Sequence, residues 1–146
     1  MSTITLTTDS FEDTLQGSCN CGNIVVSLPI SSLPSSVTLC HCSECRASSG
    51  SLFAVNISTP TQDIKIEGTP KIHDYIAASG NTVHRYFCGD CGSAIMNVVS
   101  AHPEKSILKG GLFVNSGVNL PLPGREQFWR RAEPWETPYP GLLPIE

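Results

Sequence analysis

Seven cysteines fall in three short groups: Cys19-Asn20-Cys21, Cys40-His41-Cys42-Ser43-Glu44-Cys45 and Cys88-Gly89-Asp90-Cys91. An odd count and such close pairs fit poorly with a disulfide framework, whereas C-x-C and C-x-x-C are the spacing of metal knuckles. Unpaired, metal-binding thiols point to a reducing compartment, so a cytoplasmic protein is expected. The first and third groups share a detail, ending in Cys21-Gly22 and Cys91-Gly92. Glycine there permits a tight turn with φ above zero, which aims backbone amides at the sulfurs. Two such turns supply the four thiolates of a tetrahedral zinc site, and a site closed by four protein ligands is structural. Cys19, Cys21, Cys88 and Cys91 would then staple the domain across most of its length, coupling metal binding to folding.

Setting those four aside leaves Cys40, Cys42 and Cys45, three thiolates with no cysteine to complete them. In an extended segment side chains alternate faces, so His41 points away from Cys40 and Cys42 and is a poor fourth ligand. His73, His84 and His102 stay open as distant ligands. A distant residue in the fourth position makes the triad a second staple. Water or a substrate there makes it a reaction centre.

The remaining composition narrows the class. A chain of 146 residues with 40% hydrophobic and 15% charged residues is one globular domain. A net charge of −4, with no basic cluster beyond Arg130-Arg131, argues against gripping nucleic acid through phosphates. Apolar runs of only a few residues predict no membrane span, and Met1–Asp9 lacks the pattern of a signal peptide. Residues 1–16 read as a leader or edge strand, and 17–146 as the zinc-binding domain.

From Gly17 onward short β-prone runs follow one another between turn residues: Ile24–Leu28, Val37–Cys40, Leu52–Ile57, Ile64–Glu67, Lys71–Ile76, Val83–Phe87, Ala94–Val99 and Ser106–Lys109. This predicts a mainly β, sandwich-like domain with short helical turns, one of them over Ser43–Ala47 after Cys42. The proline-rich tail from Gly124 is expected to wrap the sheet rather than extend it, with Trp129 and Trp135 as its hydrophobic anchors. Arg85 and His84 precede the third cysteine group and are expected to support it.

Three stretches together resemble one family: Gly17-Ser18-Cys19-Asn20-Cys21-Gly22, Cys40-His41-Cys42-Ser43-Glu44-Cys45-Arg46 with Ser49-Gly50-Ser51 and Phe53, and Arg85-Tyr86-Phe87-Cys88-Gly89-Asp90-Cys91-Gly92. They look like the glutathione-dependent formaldehyde-activating enzymes, a family that also contains centromere protein V. The resemblance extends more weakly to Gly110-Gly111-Leu112 and Arg131–Trp135. It implies an Mss4-like fold and two zinc ions per chain, one structural on the four-cysteine set and one catalytic on the triad. It also implies the joining of glutathione and formaldehyde, a carbon–sulfur lyase activity. The chain departs from the family pattern at Phe113, where members often carry Asp.

Elementary chemistry of the triad agrees. Zinc with three thiolates is a weaker Lewis acid than zinc on neutral histidines, yet it still stabilises an arriving thiol as thiolate. That suits carbon–sulfur bond formation better than hydrolysis. Arg46 is a candidate for holding a substrate carboxylate, or for an ion pair with Glu44 or another acid. His41 is a candidate proton shuttle. The expected partner is a small molecule such as glutathione. The alternatives are a biosynthetic enzyme using the same site for elimination or isomerisation, and a non-catalytic zinc module.

Overall fold

The computed structural model describes residues 13–146, so most of the expected leader, residues 1–12, lies outside the described residues. Among the described residues ten strands and one α-helix form in chain order: β1 (Thr14–Ser18), β2 (Val25–Pro29), β3 (Val37–Cys40), α1 (Ser43–Ser49), β4 (Ala54–Pro60), β5 (Lys65–Glu67), β6 (Lys71–Ile76), β7 (Thr82–Phe87), β8 (Ala94–Val99), β9 (Lys105–Lys109) and β10 (Pro123–Gln127). They assemble into a three-stranded sheet, β1-β2-β5, and a seven-stranded sheet, β10-β3-β4-β9-β8-β7-β6. The mainly β, sandwich-like expectation is borne out. β1 runs across the expected boundary at residue 17 and forms an edge of the smaller sheet.

Alternation decides what each strand contributes. β1 and β2 both bury every second residue, sending Leu15, Val26 and Leu28 inward. They meet Ile57 from β4, Ile95 and Val98 from β8, and Leu108 from β9 in one core between the sheets. Each of these aliphatic side chains contributes about 1.5–3 kcal/mol by leaving water. Leu112 and Phe113, in the turn after β9, close the end of this core. The apolar residue at position 113 is thus a packing residue, and its ring lies against the Cβ-less face of Gly17.

The opposite face of the larger sheet is polar, and this positions the site. Cys40 pairs with Ala54, Thr38 with Asn56, and Asn56 with Lys109. These residues share one face because side chains two apart on a strand point the same way. A small separate apolar cluster on this side unites Cys40, Cys45 and Ala54 with Cys42 and Phe128.

The tail corrects the sequence reading. β10 does extend the large sheet, as a parallel edge strand on β3, with Gln127 opposite Cys40. Pro123 occupies its first position, where a missing donor is tolerated, and the next proline is Pro134, so the ladder residues between are free to pair. The chain then returns: Ile145 N–H donates to Glu126 O at 2.8 Å and Trp129 N–H to Ile145 O at 3.0 Å. Trp129 is half-buried against His41, but Trp135 is 70% exposed and anchors nothing. Its neighbours Pro134 and Glu136 hold it in a turn that projects the indole outward, where Glu136 N–H donates to Glu133 O.

Candidate metal centres

The first and third cysteine groups come together. Cys19 and Cys21 lie in the turn after β1, and Cys88 and Cys91 in the turn between β7 and β8. All four sulfurs lie within 4.8 Å of one another. The turns are built as the cysteine–glycine spacing predicts. Gly22 and Gly92 have φ of 81° and 78°, and their N–H groups donate to Cys19 O at 3.0 Å and Cys88 O at 2.9 Å. Ile24 N–H donates to Cys19 Sγ at 3.2 Å. Two cross-ties lock the turns together, Asn20 N–H to Ser93 Oγ at 3.1 Å and Asn23 Nδ2 to Asp90 Oδ2 at 2.8 Å.

The donor set fits zinc. A tetrahedral ion about 2.3 Å from each sulfur would set the sulfurs about 3.8 Å apart. Cys21 Sγ stands 3.6 Å from both Cys19 Sγ and Cys88 Sγ. The sulfurs divide their protons unevenly, as crowded acids must. Cys91 is lowered to about 5, first by Ser93 through its hydroxyl and N–H. Cys21 is raised to about 12: Asn23 N–H favours its thiolate, but desolvation and the other three sulfurs together outweigh it. A divalent cation relieves this conflict by stabilising every thiolate at once.

Cys40, Cys42 and Cys45 form a second group, their sulfurs also within 4.8 Å of one another. Cys40 ends β3, Cys42 caps the N-terminus of α1, and Cys45 lies in its first turn. Cys45 N–H donates to Cys42 Sγ at 3.3 Å, so the capping sulfur is oriented by the helix it begins. Cys40 is held down to about 2 by hydrogen bonding from Cys42 and then Cys45. The sulfur of Cys45 is raised in turn, first by Cys40 and then by Cys42. Among the described residues no histidine or carboxylate joins this group. His84 is paired with Asp74 at 2.6 Å, His102 stands 3.6 Å from Glu104, and His73 is exposed on β6.

His41 lies on the other side of its strand, as alternation predicts, and is 1% exposed. Nε2 lies 3.2 Å from Glu126 Oε1. Nδ1 stands 3.4 Å from Glu136 Oε1 without hydrogen-bond alignment. Phe53 and Trp129 pack on the ring at 5.3 and 5.0 Å between centroids. Glu126 and Glu136 are bound in turn to the tail, accepting from Tyr139 N–H and Glu133 N–H.

Arg46 pairs with Glu133 at 2.6 Å and donates to Arg131 O, so its acid is in the tail and is not Glu44. Glu44 is taken by Arg85 at 2.8 Å, whose guanidinium also lies 4.8 Å over the Tyr75 ring. Arg85 thus braces α1 and not the knuckle it precedes, because its side chain leaves β7 on the sheet's polar face. His84, on the alternate side, makes the cross-strand pair with Asp74.

A cleft of about 380 Å³ opens between the two cysteine groups, lined by Asn20, Ser48, Ser93, Phe53, Gly111 and Lys109 among others. Sequence reasoning missed Lys109, Glu126 and Glu136. The available signal was weak: Lys109 is the one charge between the apolar Ile107-Leu108 and Gly110-Gly111, and only tertiary packing shows where it points.

Among the described residues no helix is long and apolar enough to cross a membrane. The crystal structure of a Rhodobacter sphaeroides protein, a structural-genomics target, matches the fold with a TM-score of 0.56 and 20% identity, covering 90% of this chain and 99% of that one. No curated protein matches the sequence. The family profile described as glutathione-dependent formaldehyde-activating enzyme matches residues 14–131. That span contains both cysteine groups and β10 and stops at Arg131, before most of the returning tail, and the chain belongs to the glutathione-dependent formaldehyde-activating enzyme family.

Proposed function

We propose that this chain is a zinc-dependent enzyme of the carbon–sulfur lyase type, joining a small thiol to formaldehyde in the manner of S-(hydroxymethyl)glutathione synthase. Cys19, Cys21, Cys88 and Cys91 would hold a structural zinc, and Cys40, Cys42 and Cys45 a catalytic one. The observation that carries the reading is the three-sulfur group itself: three thiols gathered beside a cleft, with no fourth protein ligand among the described residues. Bound there, zinc supplies stabilisation of a substrate thiolate at neutral pH.

The chain's own residues set up the addition. Cys42, oriented by the Cys45 N–H, and Cys40, placed by the β3 ladder, bring the three sulfurs together. Arg46 and His41 hold the tail across α1 and β3, keeping water from that side. The substrate sulfur adds to the carbonyl carbon, the carbon–oxygen π pair moves to oxygen, and oxygen takes up the proton the thiol gave. Nothing is oxidised or reduced, and the reverse reaction expels the thiol. A reducing, cytoplasmic setting fits seven cysteines that form no disulfide.

Phe113 favours a second substrate. The position where family members often carry an acceptor is here a buried ring, so a thiol other than glutathione, or a biosynthetic substrate of the same site, is the alternative. The test is adduct formation from glutathione and formaldehyde, followed against the spontaneous rate at several enzyme concentrations. A rate proportional to enzyme supports the named pair. No rate above background removes it and leaves the alternative substrates or a non-catalytic module.

A further inference from the structure

The polar face of the large sheet carries a buried cation that the addition just described leaves unused. Lys109 ends β9 and is 8% exposed. The register Cys40–Ala54 and Asn56–Lys109 places its side chain on the same face as the triad. Nζ donates to Asn56 Oδ1 at 2.9 Å, a neutral acceptor. Among the described residues no carboxylate lies within ion-pair distance of it. Burial pushes the Lys109 ammonium down; the sulfurs of Cys45, Cys40 and Cys42, as thiolates, favour it, and Arg85, which Glu44 already neutralises, opposes it.

An ammonium buried this far needs a counter-charge. The triad supplies one: three thiolates around a divalent cation sum to one negative charge. The four-cysteine group differs, because Cys21 is exposed and solvent can screen its charge. Lys109 also lines the cleft, together with Ser48 of α1 and with Ala54, which packs against Cys40 and Cys45.

We propose that Lys109 is the counter-charge of the Cys40–Cys42–Cys45 centre and biases its remaining coordination position toward an anionic ligand, a thiolate, over a neutral one. This rests on the reading that the triad holds zinc with one position open. A neutral ligand leaves the centre at one negative charge, whereas a thiolate takes it to two. One ammonium buried beside it, where solvent screens little, offsets the added repulsion. Lys109 is a positioning residue in this account: it selects the ligand by charge and touches no reacting atom.

The experiment loads the full chain with cobalt(II) at both sites. The visible absorption of the triad is then followed while either 2-mercaptoethanol, which binds as thiolate, or imidazole, which binds neutral, is added. Lys109→Met should weaken 2-mercaptoethanol by about tenfold or more and leave imidazole within about twofold, and Lys109→Arg should restore the wild-type ratio. Should Lys109→Met fail to fold, Lys109→Gln, which can still donate to Asn56, makes the same comparison. Equal changes for the two ligands, or none, overturn the proposal and make Lys109 a packing residue, with the open triad intact. A wild-type cobalt spectrum that responds to neither ligand means the triad is closed, and overturns both the functional reading and this inference.

Discussion

Replacing His41 with alanine tests whether the buried contact between β3 and the tail is energetic or incidental. The imidazole is 1% exposed and faces Glu126 at 3.2 Å and Glu136 at 3.4 Å, both carboxylates almost fully buried. His41→Ala leaves Glu126 Oε1 without this partner, while Oε2 keeps the Tyr139 N–H at 3.1 Å. Leaving a buried carboxylate oxygen without its hydrogen-bond partner costs about 1–3 kcal/mol and the cavity left by the ring about 2 more, for about 3–5 kcal/mol in all. For a domain of this size that lowers Tm by about 10–15 °C. The assay is denaturant unfolding with zinc held at one saturating concentration, since bound metal itself shifts apparent stability. The companion variants are Glu126→Gln and the double substitution. Because glutamine can still accept from Tyr139, the double variant should be less destabilised than the sum of the singles. Metal content should stay at wild type, because His41 is no ligand. A cost below about 1 kcal/mol, or strict additivity, would refute the reasoning.

The remaining predictions concern the metal groups and one tight contact. Cys88→Ser should abolish folding or leave a metal-free, unfolded chain, whereas Cys40→Ser should keep the fold and lose one of two zinc ions, read by metal analysis and circular dichroism; both variants unfolding would erase the distinction between the groups. Zinc affinity should rise with pH between 6 and 8, about tenfold per unit for each proton released. The sign follows from Cys21, raised to about 12, and Cys45, also raised, which are protonated at neutral pH in the metal-free chain and must ionise to bind. Chelator competition at three pH values checks this, and a flat profile contradicts it. Gly17→Ala should destabilise by about 1–3 kcal/mol, because its Cβ would stand 2.6 Å from Leu112 O and 2.7 Å from Phe113 Cδ1. A neutral result by thermal melt would show that the turn after β9 yields freely.

What the sequence made legible is what short-range rules determine. Lys71–Ile76 and Ala94–Val99 form strands with the expected bounds because β propensity and flanking turns agree there. The four-cysteine group was legible because each half is a self-contained turn whose glycine takes a positive φ, so spacing alone specifies geometry. β10 was not. Its only sequence mark, a proline at the start, argues against a strand, and its pairing with β3 lies more than 80 residues away in sequence. Arg85 was misplaced, and the acid that pairs with Arg46 was left open, for a similar reason. Charged side chains find partners through the whole sheet, and neither Glu133 nor Glu44 announces its choice locally.

The two cysteine groups differ in how they are braced, and the difference bears on what each can do. The first is held by hydrogen bonds within residues 19–24 and 88–93, a frame set by local contacts. The second depends on α1, a seven-residue helix too short to be stable alone. Its braces come from elsewhere: Arg85 of β7 to Glu44, and Glu133 of the tail to Arg46. Each of these ion pairs is partly exposed and worth about 0–1 kcal/mol. Rigid local turns suit a staple that stays closed. A short helix on weak braces would suit the proposed catalytic centre, whose ligands would shift slightly as a substrate sulfur arrives and leaves, and would put the adjustable part of the molecule at the triad and the unyielding part at the knuckles.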